Sequence, residues 1–454
     1  MRVKEYDVIV IGSGVGMNIV EETLEHGMDV ALVDKGPLGG TCPNLGCIPS
    51  KMLIASADRI VEAQEAKRIG VTLKVEDIDF LAIMERQRQW VRENQRHMRE
   101  GIKAAENLDF YEGEGHFVDE YTLEVNGERI KGGKVFIASG SRTLVPPIKG
   151  LDTVEYLTNE SVLQLTKRPD SLIIMGGGYI AAEYGHFFAA MGTKVTIVEM
   201  AERLVLSEDI EVSHLLQEEL LSRMAVYTSA PVLEVKKAPE GVTVVTGEGK
   251  SRREHTGQSV LLAVGRRSNA DVLKADKTGV ALDSRGYIKV NEHMETTKKN
   301  VYAVGDADGV QMFTHVGNRE AVLAADVAIH GARFKMDYSA APHAVYSHPQ
   351  IASVGLTEEA ARKLNKKLLV GRVKYFDVAK GEAIMETKGF AKAIVEEGTD
   401  KILGFHVIGP YAPIIIQEVT NAMASGSHID AIRAGMHIHP EITELVPWAF
   451  SRLS

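Results

Sequence analysis

Gly39-Gly40-Thr41-Cys42-Pro43-Asn44-Leu45-Gly46-Cys47-Ile48-Pro49-Ser50-Lys51-Met52 carries both cysteines of the chain, with four residues between them. An apolar helical pattern follows in Leu53, Ile54, Ile60 and Val61. The stretch therefore predicts a glycine-rich loop entering a helix, with the thiols at the point of entry. A helix N-terminus favours negative charge, so a thiol there ionises more readily. If the first turn is helical, the two sulfurs lie close enough to bond. From these residues alone several readings stand: a redox-active pair, two small buried apolar side chains, half of a metal site, or a structural disulfide. A zinc set lacks its remaining cysteines, and nothing marks the chain as secreted.

Upstream, residues 6–11 read as a buried parallel strand. Gly12-Ser13-Gly14-Val15-Gly16-Met17-Asn18 follows, then a helix to Glu25, then a strand over 29–33 that ends in Asp34, 22 residues beyond Gly12. This order is a dinucleotide fingerprint. Glycines let the backbone approach a pyrophosphate at a helix N-terminus, and the acid holds a ribose hydroxyl. Met17 stands where a third glycine serves close helix–strand packing, so a slightly displaced helix is expected. Downstream the pattern repeats. A strand over 172–175 leads to Gly176-Gly177-Gly178-Tyr179-Ile180-Ala181, a helix to Ala190, and a strand Lys194–Val198 ending at Glu199, 23 residues beyond Gly176. The chain thus carries two dinucleotide sites. An acid at the second favours the free 2′-hydroxyl of NAD over the 2′-phosphate of NADP. Arg203, four residues on, is the one feature pulling toward NADP.

The cysteine stretch closely resembles the GGTCxNxGCxPSK signature of the class I pyridine nucleotide–disulfide oxidoreductases. That family includes dihydrolipoamide dehydrogenase, glutathione reductase, mycothione reductase and mercuric reductase. The resemblance runs along essentially the whole chain. It implies an α/β fold of two Rossmann-like dinucleotide-binding domains and a C-terminal α+β dimerisation domain. The expected boundaries are 1–145 for FAD, 146–268 for NAD, 269–335 returning to the FAD domain, and 336–454 for the interface. It also implies FAD, one per subunit, and NAD(H) as cofactors, and a redox-active Cys42–Cys47 disulfide with Cys47 against the flavin and Cys42 toward substrate.

By the same resemblance, Gly12, Gly14, Gly16, Asp34, Lys35, Gly40, Thr41, Lys51, Gly115, Ser139, Gly140, Asp306, Thr314 and His315 contact FAD. Gly176, Gly178, Tyr179, Ile180, Glu183, Glu199 and Gly265 belong to the nicotinamide side, with Glu183 the partner of Lys51. A lysine there stabilises negative charge on reduced flavin; the bland alternative is a surface ion pair worth little. Ser139-Gly140-Ser141-Arg142 is similar to the family's ATGSRP segment, and Gly305-Asp306 to the turn whose aspartate binds the ribityl chain. His439 and Glu444 match HPxxxxE as a base and its orienter, acting on the cysteines of a second subunit. That makes the expected active unit a homodimer. His437 matches the wording of dihydrolipoamide dehydrogenases in what looks like a structural role. No metal site is expected.

With 52 basic and 62 acidic residues and a net charge of −10, nothing suggests nucleic acid or an anionic membrane as partner. No apolar run reaches 18 residues, so no membrane span is expected. Met1-Arg2-Val3-Lys4-Glu5-Tyr6-Asp7 leads straight into a strand and does not read as a signal peptide; a cytoplasmic location is expected. The helix over 80–107 carries Arg86, Arg88, Arg92, Arg96 and Arg99 interleaved with Glu85, Glu93 and Glu100, which reads as a solvated, salt-bridged face. Residues 109–137 read as a small antiparallel excursion.

The expected reaction is that of dihydrolipoamide dehydrogenase, with a lipoyl-protein or small dithiol as substrate and a 2-oxoacid dehydrogenase complex as a partner. The alternatives are an NAD(P)H-dependent reductase of a low-molecular-weight disulfide, toward which Gly12 to Asn18, Ser268-Asn269-Ala270-Asp271 and His315-Val316-Gly317-Asn318 lean, and a flavin diaphorase. The C-terminal stretch Trp448-Ala449-Phe450-Ser451-Arg452-Leu453-Ser454 lacks the cysteine pair that mercuric reductases use to bind metal.

Overall fold

The computed structural model describes residues 3–247 and 251–454; Met1 and Arg2, part of the N-terminal reading, lie outside them. The chain forms two compact units, each assembled from three segments.

The first unit comprises Met1–Ser50, Glu85–Leu144 and Gly265–Asp337. Its centre is the parallel pairing of Val3–Ile11 with Val30–Asp34 on one side and Glu128–Ile137 on the other. Val8, Ile9 and Val10 are fully buried, as a strand covered on both faces requires. Leu108–Glu112 extends the sheet in parallel beyond Val30–Asp34. The excursion expected over 109–137 is therefore antiparallel only from Gly115–Asp119 onward, through Thr122–Val125 to Glu128–Ile137. Val301–Ala303 returns from far along the chain and pairs with Glu128–Ile137. The helices Gly16–Glu25 and Thr314–His330 pack against one another in this unit. Helix Phe80–Ala104 carries the basic face. There Glu85 pairs with Arg88 and Arg92, and Arg99 with Glu112. A laced face, rather than a cationic site, is what the sequence led us to expect.

The second unit comprises Lys51–Met84, Val145–Val264 and Tyr338–Ser454. A parallel sheet runs in the order Ala225–Tyr227, Lys194–Val198, Ser171–Met175, Ser259–Leu262. Helix Tyr179–Ala190 is buried along most of its length. An antiparallel sheet orders Pro342–Val345, Ile351–Gly355, Ile402–Ile408, Phe390–Glu396 and Leu368–Lys374. Helices Ala412–Ala424 and Leu445–Ser451 contribute Ile415, Ile416, Val419, Ala449 and Phe450 to its core. Among the described residues no helix is long and apolar enough to cross a membrane.

Candidate functional site

The two fingerprints repeat one backbone solution. Gly12 has φ +102°, and a Cβ there would stand 2.2 Å from the Ala138 carbonyl oxygen; Gly176 has φ +109°, and its Cβ would stand 2.2 Å from the Ala263 oxygen. In each case only glycine lets the first strand turn tightly past its neighbour into a helix. The packing role expected at position 17 falls on Gly16 instead. A Cβ on Gly16 would meet Val10 Cγ1 at 2.8 Å and Ala138 Cβ at 3.2 Å. Met17 therefore does not push the helix away, because the close approach has moved one residue earlier.

Asp34 sits beneath this turn. Its Oδ2 accepts from the Ser13 amide (2.6 Å) and hydroxyl (2.5 Å), and Oδ1 from the Gly36 amide at 2.7 Å. Lys35 is exposed and pairs with Glu114. Gly115 packs under Val33, where a Cβ would come within 2.9 Å of Cγ1. Gly40, at φ +70°, passes so close to Gly14 that a Cβ would lie 2.8 Å from the Gly14 Cα. Backbone contact thus ties the cysteine loop to the first fingerprint.

The cysteine loop is helical where the sequence indicated. Thr41–Leu45 forms a short helix, and Cys47 is the first residue of Cys47–Glu65. Asn44 holds the loop by donating to the Leu38 and Gly40 carbonyls, both at 2.7 Å. The two sulfurs are not bonded to each other; they are hydrogen-bonded as a dithiol. Cys42 is half-buried and Cys47 exposed. Cys42 is pushed far above the ordinary thiol range, first by its hydrogen bond to Cys47, then by burial and by charge on Cys47. Thr314 Oγ1 lies 3.8 Å from Cys47 Sγ, at the first residue of Thr314–His330. The sequence singled out Thr314 only for cofactor contact; a separation of 267 residues hides its place beside the thiols. His315 follows it with its ring stacked on Phe313.

Ser139 and Gly140 end the strand beside Gly12. The Ser139 hydroxyl is buried with no partner among the described residues, while Asn269 reaches the carbonyls of Ser139 (2.8 Å, side chain) and Gly140 (3.2 Å, backbone). Asp306 is held by the Ser141 hydroxyl, which in turn accepts from Arg266 Nε at 2.6 Å. Arg266 Nε is also 3.4 Å from the Asp306 carboxylate. Sequence reading missed this Ser141–Arg266 support, although Ser141 stood in a segment it had marked and Gly265, next to Arg266, was singled out. It also missed a buried acidic pair. Glu320 accepts from the Gly305 amide at 2.7 Å. Asp308 is 5% exposed and its Oδ2 lacks a partner among the described residues. Burial, then Glu320 and Asp306, push Asp308 up to about 8. A raised carboxyl binds a proton in the folded chain that the unfolded chain releases above about pH 3.9. Its stabilising proton is thus fully present below that pH and lost as pH rises through 8. Asp308→Asn is expected to gain in melting temperature, relative to the parent, as pH is raised from 5 to 8; a pH-independent difference in calorimetry would contradict this.

In the second unit, Gly178 precedes helix Tyr179–Ala190 with open space around it, and Tyr179 and Ile180 begin that helix half-buried. Gly265, in the first unit, has φ +124° and accepts from the Leu144 amide. Glu199 Oε1 accepts from the Ala201 amide at 2.6 Å. Arg203 turns inward: it is 8% exposed and donates to the Leu206 carbonyl at 3.1 Å. It is not displayed for a 2′-phosphate. Lys51 Nζ contacts both Glu183 oxygens, at 2.9 and 2.7 Å, and lies 4.7 Å from the Tyr346 ring centroid. Glu183 is 5% exposed and also accepts from the Tyr346 amide. The bland reading of a surface ion pair therefore fails.

Toward the C-terminus, His439 Nδ1 lies 3.0 and 3.1 Å from the two Glu444 oxygens. The imidazole is 71% exposed, whereas Glu444 is 14% exposed. A mostly buried carboxylate thus orients a ring that projects from the surface. His437 pairs with Glu418 at 2.8 Å, on helix Ala412–Ala424.

Two cradles that any side chain would fill, a carboxylate below each strand end and an orphaned buried hydroxyl at Ser139 fit two dinucleotides. Residues 6–321 match the pyridine nucleotide–disulphide oxidoreductase family, and residues 341–450 match its dimerisation domain. The chain belongs to this family: it is an FAD- and NAD(H)-binding enzyme of dithiol–disulfide exchange. Among similar proteins are the dihydrolipoyl dehydrogenase of Bacillus subtilis (strain 168), 30% identical over 97% of this chain and 96% of that one, and the mercuric reductase of Lysinibacillus sphaericus, 30% identical over 94% and 78%. The solved Cu(II) complex of the HOCl-induced flavoprotein disulfide reductase RclA from Escherichia coli superposes with a TM-score of 0.87, at 27% identity and 99% coverage of both chains.

Proposed function

We propose that the chain is a dihydrolipoamide dehydrogenase-type enzyme that oxidises a dihydrolipoyl dithiol and reduces NAD⁺. The observation that carries this reading is the exposed His439 imidazole fixed by Glu444, in a chain whose only cysteines form a pair at a helix entrance. Such a ring is of use to thiols outside its own surface. A homodimer brings it to the Cys42–Cys47 pair of the second copy, through the dimerisation domain. The domain division into 1–145, 146–268, 269–335 and 336–454 is part of this reading.

The steps follow from the side chains. His439 takes a proton from the incoming dithiol, and the resulting thiolate attacks Cys42 Sγ. The Cys42–Cys47 bond breaks and Cys47 leaves as the thiolate. The second substrate thiol then attacks its own sulfur in the mixed disulfide, and its proton passes to His439 as that ring hands on the first one. Cys42 is released and takes the proton from His439. Substrate leaves as a cyclic disulfide, two electrons poorer, and the chain holds the dithiol. Glu444 stabilises the imidazolium between transfers. Bound FAD supplies two-electron carriage between the dithiol and the nicotinamide. Asp34, Asp306 and the glycines of the first fingerprint would hold it. Glu199 with the inward Arg203 supports NAD over NADP.

A second reading has its own support. Asn18 donates to Asn318 at 3.1 Å, joining the two stretches that lean toward reductases of low-molecular-weight disulfides. Relative kcat/KM for dihydrolipoamide with NAD⁺ and for a panel of small disulfides with NADH tests both. Dihydrolipoamide leading the panel is expected; a small disulfide leading it transfers the assignment to the second reading. In either direction His439→Ala is expected to lower turnover by roughly 10²- to 10⁴-fold, and unchanged turnover would remove the base assigned here.

A further inference from the structure

Two helix C-termini meet on the surface of the first unit, and three side chains converge there. Glu22 and His26 stand one turn apart where helix Gly16–Glu25 ends, and His330 is the last residue of Thr314–His330. One ligand atom from each lies within 4.8 Å of the others. His330 Nε2 is 3.1 Å from Glu22 Oε1, and His26 Nδ1 is 3.6 Å from the same oxygen. The imidazole rings meet edge to face, 4.6 Å between centroids.

We propose that Glu22, His26 and His330 form a binding site for a divalent transition-metal ion of the zinc class. Two imidazoles and a carboxylate suit zinc, nickel, cobalt or copper(II) and not the oxygen-seeking calcium or magnesium. The spacing of Glu22 and His26 puts both on one face of one helix, so they act as a chelate. His26 Nδ1 lies 2.8 Å from the Glu22 carbonyl oxygen, a contact that holds the ring against its own helix. Both helices end at the site, so their dipoles place partial negative charge beside the ion. The side chains are partly or fully exposed, which leaves water to complete the coordination. The ligands come from segments 308 residues apart. The ion therefore fastens the returning segment of the unit to its first helix, and it stabilises the folded chain by mass action.

The test uses the FAD-loaded protein as Cys42→Ser/Cys47→Ser, so that thiols do not compete for metal. Zinc ion alone is titrated by calorimetry, and melting temperature is followed with and without it. One zinc per chain and a raised melting temperature are expected. His26→Ala, His330→Ala and Glu22→Gln, each with full FAD content, should weaken binding by about tenfold or more and lose the thermal shift. Glu22→Gln, which keeps the shape of the side chain, separates lost ligation from lost packing. Zinc affinity equal in the parent and both histidine variants, or no zinc bound by the parent, would overturn the proposal.

Discussion

Cys42→Ser is expected to lower dithiol turnover by roughly 10³-fold or more, with fold and FAD content retained. Serine is nearly isosteric, so the short helix Thr41–Leu45 and the Asn44 hydrogen bonds that hold it should survive. Only the sulfur that substrate attacks is removed. A serine hydroxyl forms no bond that a thiolate can exchange. Transfer of electrons from NADH to artificial dyes needs no dithiol and should persist. The ratio of dye reduction to lipoamide turnover is the informative quantity, because a folding defect lowers both. Full lipoamide turnover in Cys42→Ser would show that the cysteine pair is a bystander.

Lys392→Ala is expected to destabilise the second unit by about 3–5 kcal/mol. Lys392 is 2% exposed, with Nζ at 2.9 Å from Asp209, 2.7 Å from Glu211 and 2.7 Å from Glu358. Burial alone would lower its pKa, but the carboxylates outweigh burial and hold it above the ordinary lysine value. Burial would likewise raise Asp209 and Glu358, and Lys392 outweighs it, holding both below their usual range. Truncation leaves the Asp209 carboxylate, 2% exposed, without this ammonium, whereas Glu211 and Glu358 keep Arg372. The pH dependence follows from the directions. The depressed carboxyls contribute stability above their unfolded values near pH 4, and that stability is lost as pH falls through the folded values. The Lys392→Ala deficit should therefore be full at neutral pH and shrink in acid. Thermal unfolding across pH reads this out, and a loss under about 1 kcal/mol at pH 7 would mean the network relaxes into solvent.

The parts of this molecule that the sequence makes legible are those set by local backbone demands. Gly12 and Gly176 announce turns that no side chain tolerates, and Asp34 and Glu199 close each fingerprint at a spacing fixed by one strand–helix–strand passage. Cys47 opens a helix because the apolar pattern behind it has helical period. His439 and Glu444 are five residues apart, so their pairing could be read directly. What escaped reading depends on distance in sequence. Thr314 beside Cys47, Arg266 on Ser141, and Lys392 on Asp209 and Glu211 each join segments over a hundred residues apart. The break between Ser50 and Lys51, where the chain passes from one compact unit to the other within a single helix, leaves no mark in composition. The shift of the packing glycine from position 17 to Gly16 shows a motif's spacing giving way while its physical requirement is still met.

Alkylation mapping by mass spectrometry tests the central claim most directly. The air-oxidised, FAD-loaded protein should show neither Cys42 nor Cys47 modified by iodoacetamide after denaturation. One equivalent of NADH without oxygen should make both cysteines modifiable, because the electrons open the bond between them. Cysteines alkylated equally before and after NADH would contradict a dithiol that exchanges electrons with the bound cofactors.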